Sequence, residues 1–173
     1  VTYFRGKLDL WKLDYTHVFG LLRSQKDKPK YIYLHRLGIP VPRWRLTIGV
    51  NEATVTGSTT DQVLSDTVYY DSQSRGWEWV YMIPFVPFSF AEHYIGDRDN
   101  SCVSFDLNLF QPRGFRWYAE LFLDDITAPW TLLSDDWGNK WALTAGCEYH
   151  GVLLGRDITA ALEYSRVEPW VYT

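Results

Sequence analysis

Apolar and polar residues alternate along much of this chain, most regularly in its second half. In residues 101–110, Val103, Phe105 and Leu107 alternate with polar side chains, and a period of two is typical of a β-strand with two unlike faces. The same alternation, in clear or weaker form, recurs in residues 8–10, 18–22, 31–39, 46–50, 115–124, 140–150 and 158–164. The sequence therefore predicts about eight strands, each near the roughly 9 to 11 residues that a tilted strand needs to cross hydrocarbon.

The polar positions of these strands carry ionisable residues in mid-strand, namely Glu120, Glu148 and Glu163. A carboxylate is costly in a dry core, so these positions favour a water-filled lumen on one side of the sheet. A soluble β-sandwich produces the same alternation of side chains. Periodicity alone therefore leaves the surrounding solvent open.

The connections between the strands distinguish these alternatives better. Short joins at residues 13–15, 40–43, 111–114 and 151–156 alternate with longer ones at residues 24–30, 56–100 and 125–139. Outer-membrane barrels place short turns on one side and long loops on the other. The pattern predicts an all-β, antiparallel, up-and-down transmembrane β-barrel, or a portion of about eight strands of a larger barrel. Residues 1–173 then form one barrel domain or part of one, with a long outward loop at about 56–100.

Composition narrows the class further. The chain has 173 residues, a net charge of −4, and 17% aromatic residues, among them 9 Trp and 12 Tyr. Such rings favour interfaces that are apolar on one side and wet on the other, as at a membrane surface. The net charge does not suit a nucleic-acid partner. Mean hydropathy is −0.24, and we find no run of about 18 apolar residues for a spanning helix.

The segment from residue 77 to residue 100 is the least regular part of the pattern. Pro84 and Pro87 interrupt the aromatic-rich run 82–90, and charged residues including Arg98 follow closely. One interpretation is an outward surface for a ligand or a plug over the lumen. The alternative is that the aromatic run packs into the barrel mouth and the charges are solvated.

Candidate chemistry is sparse. Asp124 with Asp125, and Asp135 with Asp136, are paired carboxylates of the kind that hydrolyse glycosidic bonds. Neighbours on a strand point to opposite faces, however, so we expect solvated loop acids or calcium ligands and no enzyme. The four histidines lack zinc-site spacing and no phosphate-binding glycine loop is present, so no metal site or cofactor is predicted. Cys102 and Cys147 are interpreted as small apolar side chains, with a disulfide between them as the alternative.

Several short segments, in their order along the chain, carry a family resemblance. They are His35-Arg36-Leu37, Gly49-Val50-Asn51-Glu52, residues 84–94, Asp99-Asn100, residues 118–125 and Glu163-Tyr164-Ser165-Arg166-Val167. This series resembles the Wzi-type capsule-assembly family of outer-membrane proteins. The resemblance implies a barrel of about eighteen strands that acts as a lectin and helps to hold or assemble surface polysaccharide.

About eight strands are too few for a barrel of that size. The chain is therefore expected to be a piece of such a barrel or else a small relative. An end at Thr173, without the terminal aromatic residue usual in these barrels, favours the piece.

The functional expectation combines the loops with the resemblance. Sugars stack on aromatic rings and form hydrogen bonds with planar polar groups. The candidate carbohydrate site therefore combines residues of the connection 125–139 with one arginine from the segment 77–100: Trp130, Asp135, Asp136, Trp137, Asn139 and Arg98. The expected partners are outer-membrane lipid and surface polysaccharide, with other outer-membrane or cell-surface proteins as further candidates. A pore for small solutes is the alternative function, and an outer-membrane hydrolase is a third.

Overall fold

A computed structural model describes residues 2–22, 29–57, 77–88, 90–91, 99–125, 140–169 and 171. These residues fall into two compact units that share the strands. The first unit comprises Val1–Gly6, Thr16–His35 and Ala53–Ser101. The second unit comprises Lys7–Tyr15, Arg36–Glu52 and Cys102–Thr173.

The fold is all-β. One sheet contains the strands β1 (Thr2–Leu10), β2 (Leu13–Leu22), β3 (Lys30–Val41), β4 (Leu46–Gly57), β5 (Asn100–Leu109), β6 (Phe115–Asp125), β7 (Lys140–Leu153) and β8 (Arg156–Val167). Each strand pairs with its neighbours in the sequence, so the topology is up-and-down. Within the described part of the chain, β1 and β8 are the two edges and the sheet is open. The predicted strands and topology are confirmed, whereas closure into a barrel is not.

The lengths of the connections alternate as the sequence predicted, but some positions were wrong. Leu13 begins β2 and residues 151–153 belong to β7, so the first and last short turns are only two residues long, Trp11-Lys12 and Leu154-Gly155. Trp11 (φ 54°), Leu154 (φ 54°) and Gly155 (φ 72°) adopt left-handed backbone conformations. Such conformations are typical of tight hairpins. The residues at the first turn, a Trp and a Lys, give no local signal for it.

The register of β5 to β8 sorts their side chains onto two faces. Phe105 lies opposite Leu121, which lies opposite Leu143. Trp117 similarly lies opposite Cys147, and Cys147 opposite Leu162. We call this the apolar face. Much of it is uncovered, since Phe105 is 46% exposed and Leu162 is 77% exposed.

A register shift interrupts β6 at the paired aspartates. Leu123 pairs with Trp141 and Asp125 with Lys140, which leaves Asp124 as an extra residue on β6. Such a bulge breaks the strict alternation of side chains.

The first unit is built around an aromatic cluster, which consists of the buried residues Tyr31, Tyr33, Tyr81, Phe88 and Ala91. Two tyrosines of β3 meet rings from residues 77–91, with a short 3-10 turn at Trp79–Met82. The Tyr33 hydroxyl accepts a hydrogen bond from the backbone N–H of Glu78 at 2.9 Å. The Tyr81 hydroxyl donates to Asp99 at 3.0 Å. Within the aromatic-rich run 82–90, Phe88 is packed against His35 of β3, whereas Phe85 and Phe90 are 55% and 73% exposed, so both interpretations of this segment stay predictions.

No helix formed by the described residues combines the length and the apolar character that a membrane-spanning helix requires.

Candidate functional site

The second unit carries a set of polar side chains, joined by hydrogen bonds and one cation–π contact, on the face opposite the apolar one. We call it the polar ladder; its members are Arg36, Asn51, Ser104, Asp106, Asn108, Arg116, Tyr118, Glu120, Glu148 and Glu163. The even positions of β5, β6 and β7 point to this face because side chains alternate along a strand.

The ladder crosses β4 through an ion pair between Arg36 on β3 and Asp106 on β5. The guanidinium donates Nε to Asp106 Oδ2 at 3.1 Å and Nη2 to Oδ1 at 2.8 Å. This bidentate geometry is the strong form of the Arg–carboxylate contact. Gly49 of β4 makes it possible, since a Cβ at that position would overlap the Asp106 carboxylate. A glycine in mid-strand thus marks the close approach of two side chains across it.

Asn51 and Ser104 donate further hydrogen bonds to the two acids of β5 and β6, Asp106 and Glu120. The Asn51 amide donates to Asp106 Oδ2 and to the Ser104 hydroxyl, both at 3.0 Å. The Ser104 hydroxyl in turn donates to Glu120 Oε1 at 2.7 Å. Asp106 and Glu120 are direct cross-strand partners. Because like charges directly opposite destabilise a sheet, the intervening Ser104 and Asn51 stabilise this pair.

Arg116 connects three strands. Its Nε and Nη2 donate to Asn108 Oδ1 on β5 at 3.1 and 2.8 Å. Its Nη1 donates to Glu148 Oε2 on β7 at 3.1 Å. The guanidinium also lies 4.9 Å from the ring centroid of Tyr118, within the range of a cation–π contact.

A second crossing occurs over β7. Tyr118 and Glu163 lie on β6 and β8, and each is opposite Gly146. The tyrosine ring occupies the space above this glycine, and its hydroxyl donates to Glu163 Oε2 at 2.6 Å. An aromatic ring that covers a glycine on the neighbouring strand compensates for its missing side chain.

The charged side chains of the polar ladder are hydrogen-bonded within the sheet. Both oxygens of Asp106 accept hydrogen bonds within the sheet, and Arg36 and Arg116 are each paired with an acid. Within the described part of the chain, carboxylates outnumber guanidinium groups on the ladder. No group of three or more potential metal ligands occurs among the described residues.

An exposed pair of tryptophans lies in the first unit. The ring centroids of Trp77 and Trp79 are 6.4 Å apart, and their side chains are 49% and 72% exposed. The ring of Trp77 packs against the ring of Phe19, with 4.6 Å between the two centroids. A supported but open aromatic surface of this kind is able to stack against the apolar face of a sugar ring.

The sequence-predicted site residues have different outcomes. Trp130, Asp135, Asp136, Trp137, Asn139 and Arg98 lie outside the described residues. Glu120, Glu148 and Glu163 share the polar face, as the alternation predicted. Cys102 and Cys147 lie on β5 and β7 and form no disulfide.

Two features escaped the sequence analysis. The spacing of the histidines along the sequence predicts no cluster, yet the ring centroids of His17 and His35 are 6.4 Å apart, and His35 stacks on Phe88 at 4.1 Å. Arg36 binds Asp106, which is 70 positions away and has no signal in the local sequence. The alternation that places Glu120, Glu148 and Glu163 on one face is a sequence signal for the ladder, and the isolated strand glycines are a further one.

Comparison with models of protein families, with curated proteins and with solved structures finds no match to this chain.

Proposed function

We propose that this chain forms part of the wall of a transmembrane β-barrel in a bacterial outer membrane, where it holds surface polysaccharide without hydrolysing it. The observation that carries the proposal is the contrast between the two faces of β5 to β8. One face presents Phe105, Leu107, Trp117 and Leu162 in an exposed row, and the other carries the polar ladder. Lipid on the first face and water on the second is the environment that this contrast fits.

Three further observations support the proposal. The up-and-down order gives every strand a sequence neighbour as its partner, as in barrels of this kind. Trp77 and Trp79 offer an exposed stacking surface. The resemblance to the Wzi-type capsule-assembly family points to surface polysaccharide as the ligand.

A pore for small cations is the second candidate function. The excess of carboxylates on the polar ladder favours it, because among the described residues Glu120 and Glu163 accept hydrogen bonds only from neutral hydroxyl groups. A lining with net negative charge favours cations. Conductance through lipid bilayers, with a loss of cation preference in Glu120→Gln, distinguishes the pore from the polysaccharide-binding protein.

The membrane part of the proposal is tested by an arginine at adjacent positions of β6. Leu121→Arg puts a charge on the apolar face and is expected to reduce the free energy of unfolding in lipid by about 2–4 kcal/mol if it lies near the bilayer midplane. Glu120→Arg, on the wet face, is the matched control and is expected to cost much less. Equal losses would contradict the assignment, as would a monodisperse monomer in buffer without detergent.

The ligand part is tested by removing aromatic rings. Trp79→Ala, and separately the double variant Trp130→Ala with Trp137→Ala, are expected to weaken retention of capsule-like polysaccharide by about 1–3 kcal/mol, if stacking resembles that measured for bases. Trp44→Ala removes an exposed ring from the short turn between β3 and β4 and serves as the control. Unchanged retention in both tests would overturn the polysaccharide assignment. Release of reducing ends from the polysaccharide by the native chain would contradict the proposal that the chain does not hydrolyse it.

A further inference from the structure

An open pocket of about 290 Å³ lies in the second unit, beside two of its short turns. Four cationic or titratable side chains line it: Arg45, Arg113, Arg116 and His150. The phenyl rings of Phe110 and Phe115 also line the pocket. No acidic residue lies among the lining residues, so the pocket has a different charge from the neighbouring polar ladder.

Two of these cations are not compensated within the described residues. Arg116 is paired with Glu148 at 3.1 Å, and His150 Nε2 lies 3.8 Å from the same acid. Arg45 and Arg113 have no carboxylate within ion-pair distance among the described residues, and both side chains are exposed. The pocket therefore has two guanidinium groups available for an anion.

Backbone hydrogen bonds hold the turns that carry these groups. The N–H of Phe110 donates to Arg45 O at 3.0 Å, and the N–H of His150 donates to Gly114 O at 2.7 Å. The arginines are thus presented from pre-organised backbone, which lowers the entropic cost of binding. Arg45 itself adopts a left-handed conformation with φ 51°, which is unfavourable for a residue with a Cβ.

We propose that this pocket binds a phosphate group. Arg45 and Arg113 belong to two separate turns and both line the pocket, so it can offer donors from two guanidinium groups. A tetrahedral phosphate offers oxygens to both, whereas one guanidinium already satisfies the planar geometry of a carboxylate. The group belongs either to free phosphate or to a lipid headgroup. This inference does not depend on the polysaccharide assignment, because it concerns other residues.

Arg45→Gly is the decisive variant. Glycine adopts the left-handed conformation readily, so the substitution removes a guanidinium without disturbing the turn. Arg43→Ala is the matched control, since Arg43 lies in the same Pro42–Trp44 turn but does not line the pocket. Arg113→Ala provides an independent second variant in the other turn.

The measurement is titration of the purified chain, in the medium that keeps it monodisperse, with inorganic phosphate and separately with acetate. We expect phosphate to bind better than acetate, and Arg45→Gly and Arg113→Ala each to weaken phosphate binding roughly threefold to tenfold. Arg43→Ala is expected to have no such effect. Equal losses in all three variants, no phosphate binding by the native chain, or equal affinity for acetate would overturn the proposal.

A second arm identifies the source of the phosphate. Phosphatidylglycerol is added in micelles to the native chain and to Arg45→Gly, and displacement of bound inorganic phosphate is measured. Displacement that depends on Arg45 assigns the pocket to a lipid headgroup; phosphate binding that persists against excess lipid assigns it to free phosphate. If Trp79→Ala leaves polysaccharide retention normal, the proposed function is weakened. Phosphate binding by the native chain would still support this inference, so the two failures are distinguishable.

Discussion

The aromatic cluster of the first unit and the polar ladder of the second differ in what holds them together. In the cluster, Tyr33, Tyr81 and Phe88 are at most 1% exposed. Their rings pack 5.3 and 5.4 Å apart, and the two tyrosine hydroxyls add one hydrogen bond each. In the ladder, most members are partly exposed and interact through directed hydrogen bonds. The stability of the cluster depends on how completely its side chains fill the space between them, whereas the stability of the ladder depends on the distances and directions of its hydrogen bonds.

This difference determines which substitutions each region tolerates. A dry cluster loses stability when volume is removed, because neighbours relax only partly into the cavity. A wet ladder tolerates loss of a single group better, because water replaces the missing partner. Its vulnerable positions are instead the glycines, where an added methyl group collides with an ion pair or a ring.

The largest effect is expected at Phe88 in the cluster. Phe88→Ala removes a ring that stacks on His35 and meets Tyr81 edge-on, and we expect it to lower the free energy of unfolding by about 3–5 kcal/mol. Phe90→Ala is the control in the same segment, since Phe90 is 73% exposed, and a change of less than about 0.5 kcal/mol is expected there. Denaturant unfolding measures both. Similar losses at the two positions would mean that the cluster does not distinguish buried from exposed rings.

An intermediate effect is expected at Gly49 in the ladder. Gly49→Ala places a methyl group against the Asp106 carboxylate and separates it from Arg36, with an expected loss of about 1–3 kcal/mol in unfolding free energy. Gly6→Ala is the matched control, because the nearest atom to its added Cβ is 3.8 Å away, Phe4 Cε1. An alanine that fits without strain is expected to stabilise by about 0.4–1 kcal/mol. If both alanines are tolerated equally, the crossing over β4 is not a structural constraint.

The smallest effect is expected at Tyr118. Tyr118→Phe keeps the ring over Gly146 and removes only the hydroxyl that binds Glu163, so the loss of stability should be smaller than at Gly49. Tyr118→Ala also uncovers the glycine and should be the more harmful of the two. A double-mutant cycle with Glu163→Gln isolates the hydrogen bond. Equal losses for Tyr118→Phe and Tyr118→Ala would show that the hydrogen bond, and not the ring, maintains this crossing.

The sequence by itself determined the strands, their order and the two faces of β5 to β8. Period-two alternation is a local property, and hairpin connections leave each strand next to its sequence neighbour. The alternating short and long joins followed from the same pattern, with errors of a few residues where a turn such as Trp11-Lys12 lacks the usual turn residues.

The tertiary structure alone decided which side chains meet. Arg36 and Asp106 are 70 positions apart, and their contact depends on register, on the absence of a side chain at Gly49 and on the reach of a guanidinium. The placement of Phe88 on His35 of β3 likewise requires the chain to return to an earlier strand, and the approach of His17 to His35 depends on the register of β2 and β3. Periodicity specifies the face on which a residue lies, but a contact between distant strands depends on distances that no local pattern encodes.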